Sequence, residues 1–212
     1  MLWDCSELAS WRRPLALALV MGLVAAPGPA GASGREAWLR ATFPVQVFAG
    51  YTSGFGLRFH PVDGGMRPHY GLDIAAPLGS PVRNWWSGVL VEILQGGGCG
   101  NGLVIRSGDY EHTYCHLAGS VGGSTYQSGA VQLQVGQRLR TGQTIAHVGM
   151  TGSSTGPHLH WGMRYRGEWM DPARVLRAMA ASRRAVAGSP WGGNGSTRAP
   201  APRRPPNVGV LR

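Results

Sequence analysis

The sequence predicts a single, mostly β domain of about 120 residues with antiparallel strands. Glycine and proline account for 34 and 15 of the 212 residues, well above average usage, which indicates frequent turns. Short runs rich in β-branched and apolar residues alternate with these turn residues. No segment before Asp171 shows the 3.6-residue period of a helix. The hydrophobic content of 43% is sufficient for a core.

Residues 1–32 have the composition of a secretory signal peptide. Arg12 and Arg13 supply a positive n-region, Leu15–Ala26 is an apolar run, and Ala30–Ala32 is a small-residue cleavage site. The apolar run is shorter than the roughly 20 residues that a bilayer-spanning helix needs. The sequence therefore predicts an exported chain, with an uncleaved membrane anchor as the alternative.

Residues 33–49 form a lead-in, and we place the β domain at residues 50–172. The predicted strands share a length of four to seven residues and are bounded by turn residues. They are Pro81–Trp86, Gly88–Leu94, Leu103–Arg106, His112–Leu117, Val131–Gly136, Thr144–Gly149 and His158–Met163.

Two of these runs, Leu103–Arg106 and His112–Leu117, predict a hairpin around the turn at residues 107–109. A three-residue turn places Arg106 opposite Tyr110.

The same register predicts a disulfide bond. It places Cys115 opposite Asn101, with Cys99 just beyond, in reach through a glycine-rich bend. Cys5 is lost with the signal peptide, and exported chains commonly pair their remaining cysteines. Two separate buried thiols are the alternative to a Cys99–Cys115 bond.

A helix is predicted at residues 173–187. Asp171 is suited to the N-cap and Pro172 to the first helical position. Residues 188–212 are rich in glycine, proline and arginine and are predicted to be disordered.

The net charge of +10 belongs mainly to the C-terminal part of the chain. Residues 33–173 contain ten arginines against eight acids, whereas residues 174–212 contain eight arginines and no acid. By charge alone, such a tail is expected to bind an anionic envelope polymer. A soluble disordered end without such a partner is an equally weighted alternative. Export argues against nucleic acid as the partner.

Two pairs of residues have the side chains and spacing of a zinc site. His69 and Asp73 are four apart in R-P-H-Y-G-L-D, and His158 and His160 are two apart in G-P-H-L-H-W. Each pair shares a face, on a strand for the second pair and on a strand or helix for the first. Imidazole and carboxylate groups bind zinc, and three protein ligands leave one position for water in catalytic sites.

Three further histidines lie on predicted strands. His116 is expected on a core strand, whereas His112 and His147 are expected at the surface.

Longer motifs around these residues resemble the lysostaphin/LytM-type zinc metallopeptidases, which are peptidoglycan endopeptidases with a duplicated-hybrid-motif β fold. The matching segments follow the family order over about 120 residues, and they are Ser53–Pro61, His69–Val82, Tyr114–Leu117, Val135–Trp161 and Met170–Pro172.

The resemblance implies roles for individual residues. It makes His69, Asp73 and His160 the ligands of one zinc ion, and His116 and His158 the two non-ligand active-site histidines. Which of these two is the general base stays open. 

Two upstream residues and one insertion concern the substrate groove. Arg58 and His60 are candidates for the groove wall, with a structural role as the alternative. The segment Gly119–Val131 is longer than in the family and predicts a remodelled groove-wall loop. Cys115 replaces the small residue or methionine that often precedes the histidine at His116.

The function implied is a monomeric zinc endopeptidase, periplasmic or secreted and associated with the cell wall, that hydrolyses cross-link or stem peptides of peptidoglycan. A non-catalytic wall-binding or amidase-activating module is the main alternative. A third is a zinc-binding protein without hydrolase activity, whose fourth ligand position is closed by Asn84 or the lead-in.

Overall fold

A computed structural model of the chain describes residues 39–59 and 64–187, which form an antiparallel β domain followed by a helix at Pro172–Ala187. The strands are β1 (Gly50–Ser53), β2 (Gly56–Phe59), β3 (Met66–His69), β4 (Gly71–Ala75), β5 (Pro81–Arg83), β6 (Gly88–Leu94), β7 (Gly102–Ser107), β8 (Tyr110–Cys115), β9 (Leu117–Ala118), β10 (Ser120–Gly122), β11 (Thr125–Ser128), β12 (Val131–Gln134), β13 (Arg138–Leu139), β14 (Thr144–Val148), β15 (His158–Tyr165) and β16 (Glu168–Trp169).

The strands form one large sheet and three small ones. The eight-stranded sheet has the order β1-β4-β15-β8-β7-β6-β13, with β16 paired to β15. The small sheets have the orders β10-β11-β12, β5-β14-β9 and β2-β3. All of these pairs are antiparallel. The predicted mostly β fold with a C-terminal helix is confirmed.

The pleat of the large sheet separates the core from the opposite face. In β15, Leu159, Trp161 and Met163 are fully buried in the core. Successive side chains of a strand point to opposite faces, so His160 projects away from this core. Asp73 lies directly opposite His160 on β4 and shares that outer face.

The C-terminal helix begins as its capping residues predict. The Asp171 carboxylate accepts a hydrogen bond from the Ala173 N–H at 2.9 Å, which satisfies one of the free donors of the first turn. Val175 and Met179 are buried against the sheet, so the helix covers one side of the core.

The described part of the lead-in belongs to the same core. Ala41 and Val45 are each only 1% exposed, Val45 forms a β-bridge with Val82, and the Arg183 guanidinium donates to the Ala41 carbonyl at 2.6 Å. The predicted signal peptide, residues 33–38 of the lead-in and the predicted disordered tail lie outside the described residues. Among the described residues, no helix is both long and apolar enough to span a bilayer.

The β7–β8 hairpin differs from its predicted register by one residue. Arg106 lies opposite Glu111 and Ser107 opposite Tyr110. The turn therefore contains two residues instead of three. Gly108 has a positive φ of 61°, which permits this tight connection.

His112 is fully buried, so its expected surface position was wrong. The Tyr114 hydroxyl accepts a hydrogen bond from the Trp85 N–H at 2.9 Å and donates its own proton to His112 Nδ1, also at 2.9 Å. His112 Nε2–H donates to Ser107 Oγ at 2.9 Å. Burial lowers the pKa of His112 to about 3, and these partners satisfy its neutral form.

Acidification should weaken the fold through His112. The unfolded chain takes up a proton near the ordinary histidine pKa of about 6.5, whereas the folded group stays neutral until about pH 3. Stability is therefore lost as the pH falls, by about 2 kcal/mol between pH 7 and pH 5 from this group. Urea denaturation at several pH values measures this loss of unfolding free energy.

The matched variant is His112→Gln, which keeps a donor and an acceptor but does not titrate. Its unfolding free energy should fall less steeply over the same pH range than that of the wild type. Equal slopes for the two proteins would contradict the assignment.

Candidate active site

Three side chains, carried by β3, β4 and β15, converge on the outer face of the large sheet. His69 Nε2 lies 3.1 Å from Asp73 Oδ1, His160 Nδ1 lies 2.9 Å from the same oxygen, and the two nitrogens are 2.9 Å apart. The pairing of β4 with β15 places Asp73 directly across from His160, and His69 is the last residue of β3. The two pairs predicted from the residue spacing thus contribute three side chains, His69, Asp73 and His160, to one cluster.

Backbone groups orient this cluster. His69 Nδ1 is hydrogen-bonded to the Gly54 carbonyl at 2.7 Å, which turns Nε2 toward Asp73 Oδ1. Gly71 lies against the imidazole of His160, where an added Cβ would collide with the ring atoms Cε1 and Nε2. The glycine of H-Y-G-L-D is therefore required by close packing.

His116 and His158 flank the cluster as a second pair. Their ring centroids are 4.6 Å apart. His116 Nδ1–H donates to the Thr151 carbonyl and His158 Nδ1–H to the Gly156 carbonyl, each at 2.8 Å. With its proton on Nδ1, each neutral imidazole has a free lone pair at Nε2. His158 Nε2 lies 3.8 Å from Asp73 Oδ1. Both imidazoles can therefore accept a proton at Nε2.

Two supporting features of the pair were not predicted from the sequence. The backbone carbonyls of Thr151 and Gly156 belong to the T-G-S-S-T-G-P segment, whose turn residues are the only sequence signal for such a loop. His116 also has a positive φ of 61°, a conformation that non-glycine residues seldom adopt. The strand pattern of T-Y-C-H-L gives no sign of it.

The protonation of the site follows from burial and from the hydrogen bonds. Burial raises the pKa of Asp73, but hydrogen bonds with His160 and His69 and their charges outweigh it and hold this pKa well below its usual range. Burial lowers the pKa of His160, although Asp73 opposes the change. Burial also lowers the pKa of His116 to about 4, against the opposing effect of the Thr151 carbonyl. At neutral pH the site therefore contains an ionised Asp73 and a neutral His116.

The donor atoms of the cluster fit a tetrahedral metal ion. Zinc bonds of about 2.0–2.1 Å at tetrahedral angles separate the ligand atoms by roughly 3.3 Å, and the observed separations are 2.9–3.1 Å. His69, Asp73 and His160 are the group of metal-ligating side chains that converges within 4.8 Å in the described part of the chain. Asn84 is fully buried and donates to the Arg140 carbonyl, so it does not reach the cluster as a fourth ligand.

The cluster lies on the floor of an open groove of about 890 Å³. One wall is the β2–β3 hairpin with Arg58, whose Nη2 lies 3.6 Å from Asp73 Oδ2. The lining also includes Ser153 and residues 155–157. His60 lies outside the described residues, so its predicted place in the groove stays a prediction.

The insertion at Gly119–Val131 does not line this groove, contrary to its predicted place in the wall. It folds instead into the small β10-β11-β12 sheet. The fully buried Tyr126 attaches that sheet to the domain, because its hydroxyl donates to the Ala118 carbonyl at 2.5 Å.

Cys99 and Cys115 form a disulfide bond beside the groove. The Cys99 carbonyl accepts a hydrogen bond from the His116 N–H at 2.9 Å. The bond therefore ties the glycine-rich loop before Cys99 to the segment that carries His116.

A β domain with an imidazole–carboxylate cluster on the floor of an open groove, flanked by two further imidazoles, has the arrangement of a metallopeptidase. The chain belongs to Peptidase family M23, whose profile matches residues 67–172. This confirms the resemblance to the lysostaphin/LytM-type peptidases.

Several known proteins are similar to the chain. The DD-carboxypeptidase/endopeptidase Mpg of Neisseria meningitidis is 38% identical over 130 residues, which are 61% of this chain and 27% of that protein. The peptidoglycan DD-endopeptidase ShyB of Vibrio cholerae is 35% identical over 143 residues, 66% of this chain and 31% of that protein. The chain thus spans about a third or less of the length of these curated relatives.

One solved structure has the same fold over most of the domain. The crystal structure of a zinc-containing peptidase from Vibrio cholerae shares 34% identity and a TM-score of 0.52, covering 70% of this chain and 40% of that chain.

Removing the disulfide should lower stability while keeping the fold. For the double variant Cys99→Ala, Cys115→Ala we expect a loss of about 3 kcal/mol in unfolding free energy, because the bond restricts the unfolded chain over a separation of 16 residues. Guanidinium denaturation with and without a reductant measures the loss.

The reductant should destabilise the wild type and leave the double variant unchanged. Two thiols that react with a thiol reagent in the native, unreduced wild type would contradict the bond.

Proposed function

We propose that this chain is a zinc-dependent endopeptidase that hydrolyses peptide bonds in the cross-links or stem peptides of peptidoglycan. The observation that carries the proposal is the convergence of His69, Asp73 and His160 on the floor of the groove, with two further imidazoles alongside. Membership of Peptidase family M23 and the name of the relative ShyB, a peptidoglycan DD-endopeptidase, support peptidoglycan as the substrate.

We assign one zinc ion per chain to His69 Nε2, Asp73 Oδ1 and His160 Nδ1. Zinc in such a site supplies Lewis acidity, which polarises a carbonyl and makes water more acidic. The ionised carboxylate of Asp73 compensates part of the positive charge. The Gly54 carbonyl holds His69 in the tautomer that ligation requires.

His116 is assigned the role of proton acceptor. Its pKa of about 4 keeps it neutral at pH 7, and its Nδ1–H is committed to the Thr151 carbonyl, so Nε2 is the atom that takes the proton of the attacking water. The same atom can then return the proton to the leaving amine.

His158 is assigned to the developing negative charge on the scissile carbonyl oxygen. Its imidazole packs against that of His116 and stands 3.8 Å from Asp73 Oδ1. When Nε2 carries a proton, it is a hydrogen-bond donor held in place by the Gly156 carbonyl.

Export and wall association follow from this substrate, because peptidoglycan lies outside the cytoplasm. The arginine-rich residues 188–212 are proposed to add attraction to an anionic envelope polymer, which salt should weaken. A non-catalytic module is less well supported, since it predicts the loss of a ligand or catalytic side chain, and all five are present.

The direct test is digestion of purified sacculi by the zinc-loaded protein, with the released fragments identified by mass spectrometry. New amino and carboxyl termini within the peptide part are expected. Intact cross-links and stem peptides after prolonged incubation would reject the proposal.

His160→Ala should remove most of the bound metal. The substitution deletes one of three ligand atoms, and metal content measured by elemental analysis should fall from one zinc per chain to a small fraction. The matched control is His147→Ala. The His147 side chain does not line the groove and is hydrogen-bonded to the Ser128 hydroxyl. Full zinc retention in the first variant, or equal loss in both, would show that the ligands are wrongly assigned.

His116→Ala and His158→Ala should each keep the zinc but lose hydrolysis of sacculi by about 10²- to 10⁴-fold. The deleted groups act on proton transfer and on developing charge, whereas neither supplies a ligand atom. Rates of fragment release and zinc content are measured on the same preparations. Wild-type rates in either variant would remove the role assigned to that residue.

A further inference from the structure

Thr151 contacts both the imidazole of His116 and the backbone beside it. The Thr151 carbonyl accepts the hydrogen bond from His116 Nδ1–H at 2.8 Å. The Thr151 hydroxyl donates to the carbonyl of Leu117, the next residue along the chain, at 3.0 Å. A single threonine therefore holds the ring of His116 and the end of the peptide segment that carries it.

The Thr151 hydroxyl is itself held in one orientation. The Asn101 N–H donates to Thr151 Oγ1 at 2.9 Å, and the Leu117 N–H donates to the Asn101 carbonyl at 3.0 Å. Because a hydroxyl has one proton to donate, that proton is directed to the Leu117 carbonyl. Asn101 directly precedes β7 and Leu117 begins β9, so the hydroxyl joins the loop of Thr151 to two strands of the fold.

Close backbone packing keeps the loop of Thr151 in this place. A Cβ added at Gly100 would collide with the carbonyl carbon and Oγ1 of Thr151. A Cβ added at Gly152 would collide with the backbone of residues 98–100. The loop that carries Thr151 therefore lies directly on the glycine-rich loop before β7, at a distance that only glycine permits.

The backbone of His116 needs support of this kind. Its φ of 61° lies in the left-handed region, which non-glycine residues seldom adopt. His116 lines the groove, whereas Thr151 does not. An effect of the Thr151 hydroxyl on the reaction must therefore pass through a neighbour, and His116 is the groove residue that is bonded to the Thr151 carbonyl.

We propose that Thr151 is a positioning residue, whose hydroxyl holds its own carbonyl where that carbonyl keeps the proton of His116 on Nδ1. The Nε2 atom of the ring is then the free acceptor that the proposed hydrolysis requires. This deepens the proposed function and rests on the role assigned to His116. Without the hydroxyl, the carbonyl is free to shift. The neutral imidazole then gains access to the tautomer with its proton on Nε2, which accepts no proton there.

The kinetic test compares variants that differ in this hydroxyl. The substrate is a soluble, peptide-cross-linked fragment of peptidoglycan, and the enzyme is the zinc-loaded protein. Thr151→Val should lower kcat about 10- to 100-fold and leave KM within about threefold, at unchanged zinc content. Thr151→Ser keeps the hydroxyl and should restore most of kcat. Equal losses in the two variants, or wild-type kcat in Thr151→Val, would overturn the proposal.

Thr125→Val is the matched control. The Thr125 hydroxyl donates to the Gly122 carbonyl at 2.7 Å, outside the groove, so this variant also loses a bond from a threonine hydroxyl to a backbone carbonyl. It should keep wild-type kcat, and a loss as large as that in Thr151→Val would argue against a specific role. Thr151→Ala removes the hydroxyl without placing a methyl group against Asn101, and it should show the same loss as Thr151→Val.

Combination with His116→Ala separates positioning from a general structural effect. If Thr151 acts through His116, adding Thr151→Val to His116→Ala should lower kcat by less than about a further twofold, because the group that Thr151 positions is already absent. A further loss of about tenfold or more would show that Thr151 supports the site by another route, and the proposal would be wrong.

The tautomer of His116 is measured without any need for hydrolysis. In ¹⁵N NMR spectra of histidine-labelled, zinc-loaded protein at neutral pH, the His116 signals are those missing from His116→Ala. They should show the proton on Nδ1 in the wild type and in Thr151→Ser, and a mixture of both tautomers in Thr151→Val. If the wild type cleaves no fragment, the proposed function fails, while the tautomer still decides the role of Thr151. An unchanged Nδ1–H tautomer in Thr151→Val would refute that role.

Discussion

The rest of the site depends on the buried carboxylate of Asp73. Ionised groups are expensive to remove from water unless they are paired and hydrogen-bonded. Here His69 and His160 both contact one oxygen, at 3.1 and 2.9 Å, and Arg58 approaches the other at 3.6 Å. The contacts with the two imidazoles hold the pKa of Asp73 well below its usual range despite burial. The carboxylate is therefore ionised at neutral pH and available as an anionic ligand.

The pleat of the large sheet explains how a small domain holds a polar site next to a dense core. Trp161 and Leu159 are fully buried, while the neighbouring His158 and His160 reach the groove. The backbone of β15 is thus shared by the core and by the site. Core packing fixes this strand, and the strand fixes the backbone from which the two imidazoles project.

Three imidazoles of the site are oriented by backbone carbonyls. His69 and His158 donate to the carbonyls of Gly54 and Gly156, which lie in turns near the groove, and His116 donates to Thr151. His116 additionally has a left-handed backbone conformation, held by the Cys99 carbonyl next to the disulfide. The disulfide bond lies next to this hydrogen bond, where it can stabilise the unfavourable conformation of His116. Tertiary contacts of this kind make the rings available as acceptors at Nε2.

The sequence by itself determined the features that depend on local chemistry. Turn-rich composition predicted short strands, Asp171 and Pro172 predicted the helix start, and the H-x-H spacing predicted two side chains on one face of a strand. Each follows from the period of a strand or the free donors of a helix end. Tertiary structure alone decided the hairpin register, the burial of His112 and the carbonyl partners of the imidazoles. A one-residue change of turn length shifts every cross-strand pair, and a sequence pattern does not record which turn the whole core favours.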